Sequence, residues 1–510
     1  VPGKTQLSPP EAEMSIDTKG THFAHHERLY RLPKALLGGT MAMRAEGQTY
    51  LHKGAAEAQA DYDYRLANTF LVDSYKRTLN YLTGQVFSKE PQLENASAEI
   101  EAFSEDVDKR GNNLASFAQT AFRAGIDAGM AFVYVDHDAV ETHDGDNGPE
   151  YFDAASQTWK PRTMADAKAQ GWGPYWVLVK ADQVIDAWVE AQNGKPRLVQ
   201  FRYLESVREQ KDEWTQEDVE QIRVLTPGAW ATYRSYKSKD GKSGWEPHAQ
   251  GTTTMPDIPI AAFVPGEPIA DFVGQPALMG LAELVLQHWQ GSSGHRGMVD
   301  WLRRPILFAK CLSFEDGYAL PAAPGAGIHS TSADASLEAI NVVPPDAVGV
   351  SSADLQSLET KMGLYGLQLM MPRSGAVTAS QIRRESAESD SALKRWADLF
   401  KDCLENALKF TAEWMGQQDG PSVTVNTEFS YALDDVESNT LLTAVREGIV
   451  PKEIGFNELK RRGLVQTDLD FQEAMAMMEN ERRAAPAALP AQAAASALLG
   501  QRQDTGSTAP

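Results

Sequence analysis

The feature that most constrains this sequence is a change of hydrophobic period near residue 275. Ahead of it, apolar residues cluster in short strand-like runs; behind it they recur every three or four positions, the spacing of a helix face. Leu278, Leu281, Val285, Leu286 and Trp289 form the first stripe, with Pro276 suited to an opening helical turn and Pro305 to a stop. Carried to Leu302, that helix would be about 40 Å long. Leu355, Leu358, Met362, Tyr365 and Leu369 form a second stripe, which ends at Met371-Pro372. Between the two lies a small unit rich in Pro, Ala, Gly and Ser, opened by a strand-like run over 306–311 and closing near Pro345. After a loop over 371–377, Thr378-Ala379-Ser380-Gln381 has the form of a capping box and starts a third helix. It runs to about Met415, roughly 55 Å. Its first half (Arg383, Arg384, Glu385, Glu388, Asp390) is polar all round, whereas Leu393, Trp396, Phe400, Leu404, Leu408 and Met415 make a stripe in the second. Two environments on one helix predict a kink or a surface crossing.

Upstream the pattern is mixed. Residues 1–25, with Pro9-Pro10 and no periodicity, read as a mobile arm. The stretch 97–127 reads as helix, with Leu114, Phe117, Ala118, Ala121 and Phe122 on one face, and Gly129 separates it from a short strand over 131–136. Strand-like runs at 176–179, 198–204, 221–225, 230–236 and 258–264, with Asn193-Gly194 and Asp240-Gly241 as turn residues, predict an antiparallel sheet. Beyond the third helix come a strand at 422–429 and helical segments that stop at Gly448 and Gly463 and restart at Pro451. The Ala, Pro, Gln and Ser-rich stretch from Ala484 is expected to be disordered. The class is α+β.

At 510 residues and 42% hydrophobic content, the chain needs three or four units rather than one core. Its apolar runs are far shorter than the ~20 residues of a membrane span, and mean hydropathy is −0.39. The first residues lack the pattern of a signal peptide, so the expectation is a chain made and used in a cytoplasm. Cys311 and Cys403 are far apart, which predicts buried thiols rather than a disulfide or zinc site. A net charge of −22 weighs against tight wrapping of nucleic acid, since neutralising phosphates needs clustered bases; any DNA role must be loose contact. No Gly-x-x-x-x-Gly-Lys-Ser/Thr, His-Glu-x-x-His or Gly-x-Ser-x-Gly motif is present. The enzyme-like cluster is Asp136-His137-Asp138 with Glu141, His143, Asp144 and Asp146, which suits either a divalent metal in a soluble hydrolase or a solvated loop. Arg296, Arg303 and Arg304 suit a phosphate-facing patch or, equally, the carbonyl end of a helix dipole. Lys460-Arg461-Arg462 could end a helix-turn-helix reader over 441–464, or simply complement a dipole.

Several separated motifs resemble a bacteriophage portal family often labelled only as a domain of unknown function. They are Tyr62-x-Tyr64-Arg65 followed by Leu79-Asn80-Tyr81-Leu82-Thr83-Gly84-Gln85-Val86-Phe87-Ser88-Lys89-Glu90-Pro91; Asp106-Val107-Asp108-Lys109-Arg110-Gly111; Pro174-Tyr175-Trp176 through Ile185-Asp186-Ala187-Trp188; Gln221-x-Arg223-Val224-Leu225; Ile258-Pro259-Ile260; Leu281-Ala282-Glu283-Leu284; and Glu458-Leu459-Lys460-Arg461-Arg462-Gly463. The resemblance spans roughly 50–480. It implies a portal-like α+β layout: sheet-containing wing (26–273), stem helix (274–304), small α/β clip (305–350), second stem helix (351–370), tunnel loop (371–377), long kinked wing helix with return strand (378–430), α-helical crown (431–484) and tail (485–510). It implies a non-enzymatic ring, usually of twelve, at one capsid vertex of a virion assembled in a bacterial cytoplasm, needing no cofactor or metal. Double-stranded DNA would pass through during packaging and ejection. The tunnel loop would present Met371, Pro372, Arg373, Ser374 and Gly375 to it, with Arg296, Arg303 and Arg304 as candidate channel-facing bases. The clip surface, including Ile306, Phe308, Lys310, Phe314, Glu315 and Asp316, would meet the terminase large subunit and later a head-completion or adaptor protein. Major capsid and scaffolding proteins would be further partners. The rival expectations are the metal-dependent hydrolase and another virion structural protein, a scaffold or adaptor.

Overall fold

The computed structural model describes residues 15–138, 142–145, 148–153, 158–161, 171–237, 243–303, 306–310, 333–340, 343–367, 379–417, 420–427, 456, 471–472 and 475–477. The chain divides into two units, Val1–Thr427 and Glu428–Pro510. In the second, the described contact is between the rings of Phe456 and Phe471, with centroids 5.5 Å apart. Everything below concerns the first.

Its described helices open with α1 (Thr21–Leu37), α2 (Gly39–Glu46), α3 (Gln59–Asn68), α4 (Ser74–Val86), α5 (Ala98–Ser104) and α6 (Leu114–Ala128), with strand β1 (Gln92–Glu94) between α4 and α5. The expected mobile arm needs correction at its end. Gly20 donates its amide to the Ile185 carbonyl (3.0 Å), Arg202 donates to the Ile16 carbonyl (2.8 Å), and Phe23 and His26 are buried, so α1 starts inside the stretch taken as free. Residues 1–14 lie outside the described ones. The helix expected over 97–127 is two helices. Asp106 accepts the Gly111 amide and Asp108 those of Arg110 and Asn112, while Lys109 and Gly111 take positive φ, and this knot of side-chain to backbone bonds replaces the helical ladder. Asn113 then caps α6, and Gly129 at φ 82° ends it.

The sheet region is also more divided than expected. Strands β2 (Ala131–His137), β6 (Pro174–Lys180) and β12 (Ile260–Phe263) form a three-stranded antiparallel sheet in the order β12-β2-β6. Strands β3 (Thr142–Gly145), β4 (Gly148–Asp153) and β5 (Thr158–Pro161) make a separate meander. A five-stranded antiparallel sheet runs β7 (Val184–Gln192), β8 (Lys195–Gln210), β9 (Gln216–Thr226), β10 (Ala229–Lys237), β11 (Ser243–Thr252). Asn193 and Gly194, both at positive φ, make the two-residue turn between β7 and β8, as the sequence predicts. A short hairpin, β13 (Pro268–Ala270) with β14 (Val273–Gly274), leads out of the sheets.

The remaining described elements are helix α7 (Met279–Arg303), strands β15 (Ile306–Lys310) and β16 (Ser336–Ile340), helix α8 (Pro345–Met362) with a π-helical turn (Gly363–Leu367), helix α9 (Ala379–Trp414) and strand β17 (Ser422–Thr424), which pairs with β1. The β2 sheet is covered on both faces, which is why residues 131–135 are an unbroken apolar run. Phe132 and Tyr134 face Phe201 and Tyr203 of β8. On the opposite face Phe263 stacks on Phe122 of α6 and meets Phe400 of α9 edge-on at 4.9 Å. Trp176 of β6 lies between the rings of Phe103 and Phe117 and donates its indole N–H to Thr411 of α9 (2.9 Å). The predicted stripe of α9 is therefore the core-facing side: Leu393, Trp396, Phe400, Leu404 and Leu408 are all buried.

Candidate functional site

Helices α7 and α8 lie antiparallel and continue without slippage into the β15–β16 pair. Gly280 faces Tyr365, His288 Glu359, Gly291 Leu355, His295 Ser351, Ile306 Ile340 and Lys310 Ser336, so each step out along one arm is matched by a step back on the other. The result is a hairpin with a helical shaft and, at its described tip, a strand pair; residues 311–332 between the two strands lie outside the described ones. Small residues set its spacing: a Cβ at Gly280 would fall 2.1 Å from the Tyr365 hydroxyl, and one at Gly291 3.2 Å from Leu355. The predicted clip boundary shifts, because α8 begins at Pro345, whose missing N–H costs nothing in a first turn, and not at 351. At the other end α7 begins at Met279 rather than at Pro276.

The shaft has two halves. The buried residues of α7 (Leu281, Ala282, Val285, His288, Trp289 and Ser293) all lie in its first fifteen positions, and those of α8 (Leu358, Met362) near its end. This base is bolted to the body. Gln290 donates to the Tyr50 carbonyl (2.8 Å), Arg65 to Ser293 (3.3 Å), and Ala277 to the Ile126 carbonyl (3.3 Å). Gly129 passes so close to Gln275 that a Cβ would sit 2.0 Å from its carbonyl oxygen. From Gly294 outward no described side chain of α7 is buried, and Trp301 is 54% exposed. Arg296 and Arg303 lie on this outer half, both exposed, seven residues and so about two turns apart, hence on one face. No ion pair among the described residues joins either. At the tip, Phe308 is 52% exposed and Lys310 is exposed; Ile306 is placed by its backbone alone. Arg304, Phe314, Glu315, Asp316, the loop residues Met371, Pro372, Arg373, Ser374 and Gly375, and Lys460-Arg461-Arg462 lie outside the described residues.

The enzyme-like cluster has a different environment from the one a metal needs. Arg223 and Tyr175 both donate to Asp136 Oδ2 (2.6 and 3.0 Å), while Tyr134 and the His137 amide donate to Oδ1 (3.0 and 2.9 Å). Arg223 also donates to Glu205 (3.0 Å), which accepts from Gln221 as well. Burial opposes charge on Tyr175 and, with the carboxylate beside it, raises its pKa well above the ordinary value. Asp138 is paired with Lys109 and accepts the Gly173 amide (3.0 Å). His137 packs its ring against Trp414. This network pins the β8–β9 sheet to the β2 sheet. Among the described residues no three His, Cys, Asp or Glu side chains are grouped to hold a metal; Glu141 and Asp146, and the side chains of His143 and Asp144, lie outside the described part. Sequence reading missed Arg223 as a bolt, though an arginine inside the apolar run 222–225 is a visible signal for a buried acid opposite.

A family model described as a domain of unknown function (DUF4055) matches residues 277–415, from the base of the hairpin to the end of α9. No curated protein matches. Among solved structures, the chain is similar to the neck of a native gene transfer agent particle computed with C12 symmetry (12% identity, TM-score 0.39, 76% of this chain and 89% of that one). It is similar also to the neck of an empty particle computed with C6 symmetry (12%, 0.39, 77% and 90%) and to the virion of a native particle (12%, 0.36, 74% and 85%).

Proposed function

We propose that this chain is a structural subunit of a phage-like head-to-tail junction and, more specifically, its portal. The observation that carries the reading is the hairpin 279–362, whose outer half has no buried side chain among its described residues and carries the β15–β16 pair with Phe308 exposed. A shaft of that kind gains burial when copies pack side by side, and a closed ring supplies such neighbours to every copy. In that ring α7 and α8 are the stem, β15 and β16 the clip that meets the terminase large subunit and then a head-completion or adaptor protein, and Arg296 and Arg303 the channel-facing bases. The loop 371–377 narrows the channel for double-stranded DNA. The strong negative charge keeps contact with phosphates loose, which suits transit rather than storage. No reaction is assigned to the chain; packaging energy belongs to the motor that docks on it. The ring sits in the virion, and none of the described helices is long and apolar enough to cross a membrane.

Mass measurement and electron microscopy of the purified full chain test this. Closed rings with a central hole are expected, and a strictly monomeric species across salt concentrations overturns the proposal. Deleting 371–377 should preserve rings and impair DNA packaging; packaging at normal efficiency removes the loop's role. A stoichiometric, tightly held zinc or manganese in the purified chain would instead favour the hydrolase, for which Asp136, already accepting four hydrogen bonds, is a poor ligand.

A further inference from the structure

Resting on the ring reading, we infer that the β8–β9 hairpin is an arm that docks on the exposed face of α4 in the adjacent copy of this chain. Pairing of β10 with β9 stops at Gln221 and of β7 with β8 at Tyr203. Beyond those points, residues 206–210 and 216–220 pair only with each other, a two-stranded ribbon about 17 Å long. A ribbon with so little support is marginal in water. Here cross-strand pairs brace it, Arg208 with Asp218 and Lys211 with Glu217, and Arg234 of β10 reaches out to Glu209 near its outer end. The tip is ordered too: Asp212 accepts the amides of Trp214 and Thr215 (2.9 and 2.8 Å). That order presents Trp214, 86% exposed, to solvent. A rigidly displayed tryptophan on a ribbon that touches little of its own body is the form of an interface anchor.

Charge selects the occupant. Between 206 and 220 the arm carries six acidic residues against Arg208 and Lys211. In a chain of net charge −22, most of a second copy would repel it. Helix α4 would not, since it contains Lys76 and Arg77 and no acidic residue, although Asp73 stands just before it. Both cations are exposed and in no described ion pair. At one end of this face lie Met41 and Phe70, 73% and 65% exposed, with Arg44 over the Phe70 ring and the Leu71 amide bonded to Thr40. At the other is an open hollow lined by Asn80, Arg123 and Lys180. An apolar patch followed by a cationic stripe complements an arm with an apolar tip and an acidic shaft. The thirteen residues of α4 span about 20 Å, close to the length of the ribbon.

The test is a cysteine pair, Trp214→Cys with Phe70→Cys, in the full chain carrying Cys311→Ser; Cys403 can stay, because burial pushes its thiol up to about 12. Oxidation of assembled particles should give a ladder of covalent multimers that neither single cysteine gives. Trp214→Ala should weaken self-association on the order of thirtyfold while leaving the circular dichroism spectrum unchanged. Lys76→Glu with Arg77→Glu should weaken it as well, and Glu213→Lys with Glu220→Lys, two exposed acids of the arm outside its cross-strand pairs, should restore part of the loss. Particles that form but give no ladder, with association indifferent to Trp214→Ala, overturn this inference while leaving the ring intact, and would assign the arm to a different protein. A wild-type chain that is monomeric throughout overturns the ring and the arm together.

Discussion

Trp176 and Trp301 are the same residue in opposite circumstances, and so are the regions that hold them. Trp176, 1% exposed, is enclosed by Phe103, Phe117 and α9 and has its indole N–H satisfied; Trp301, on the outer half of α7, is 54% exposed. The body around β2, β6, α6 and α9 completes its own core. The outer hairpin and the β8–β9 arm do not, and their side chains pack only if something is brought to them. Within one chain, stability is thus concentrated in one region, and little is supplied by the others. Trp176→Ala should cost about 3–5 kcal/mol of unfolding free energy in a denaturant titration. Trp301→Ala should stay within about 0.5 kcal/mol of wild type in the dissociated chain. A large loss at Trp301 would break the comparison, since it would mean that the hairpin is already covered within one chain.

The arginines sharpen the same contrast. Arg223→Met would strand Asp136 and Glu205, each less than a fifth exposed, and should cost about 3 kcal/mol. Arg296→Met, on the open face of α7, should cost no more than about 0.5 kcal/mol in the same titration. If Arg223→Met is as mild as Arg296→Met, the link between the two sheets is packing alone.

A smaller effect belongs to Asp127, buried where α1, α4 and α6 meet. Tyr30 and Tyr75 both donate to its carboxylate (2.7 and 3.0 Å), yet burial outweighs them and raises its pKa. Asp127→Ala strips the acceptor from the Tyr30 hydroxyl and leaves Tyr75 only the residue-127 carbonyl, 3.4 Å away, and should cost about 1–3 kcal/mol, while Asp127→Asn keeps an acceptor, sheds the buried charge and should be no less stable than wild type at neutral pH. Equal losses in both variants would show that the site needs the charge itself.

How much of this was legible depended on whether a signal was local. The stripes of α7 and α9, the stop before Pro305 and the Asn193-Gly194 turn are written in neighbouring residues and were read directly. Strand β11 was not, because Ser243–Thr252 is polar and contains Pro247; it is a strand through its pairing with β10, a contact made at a distance. Strand β7 was missed as well, although its motif at 185–188 was singled out. The division of 97–127 was hidden because Asp106 and Asp108 read as ordinary helix-surface acids until their bonds to the amides of 110–112 are seen. For the candidate site, the order of helix, small unit and helix was visible, but the exact opposition of the two arms was not. It depends on Gly280, Gly291, His288 and His295, which look unremarkable in sequence. Arm and receiving face were equally hidden, since an exposed Trp214 can be told from a core tryptophan only once its surroundings exist.

The smallest expected effect tests whether the body is closed to water at the joint that α1 makes with α6. His26 is buried there, with a ring nitrogen 2.6 Å from the Ala128 carbonyl, which requires that nitrogen to donate, and with Tyr30 stacked beside it. Burial lowers its pKa most strongly; the Ala128 carbonyl and Glu27 act the other way, and Lys19 and His25 add to the lowering. With the folded value below the unfolded one of about 6.5, the unfolded chain binds the extra proton, so this contribution is complete above that pH and is lost as pH falls below it. The slope can reach at most about 1.4 kcal/mol per pH unit, for one proton. Chemical denaturation of the chain between pH 7 and 5 should therefore show falling stability, and His26→Gln, which retains a donor for Ala128, should flatten the slope. A slope unchanged by His26→Gln would mean that water reaches the joint, and the division between a self-contained body and its open extensions would then have to be drawn elsewhere.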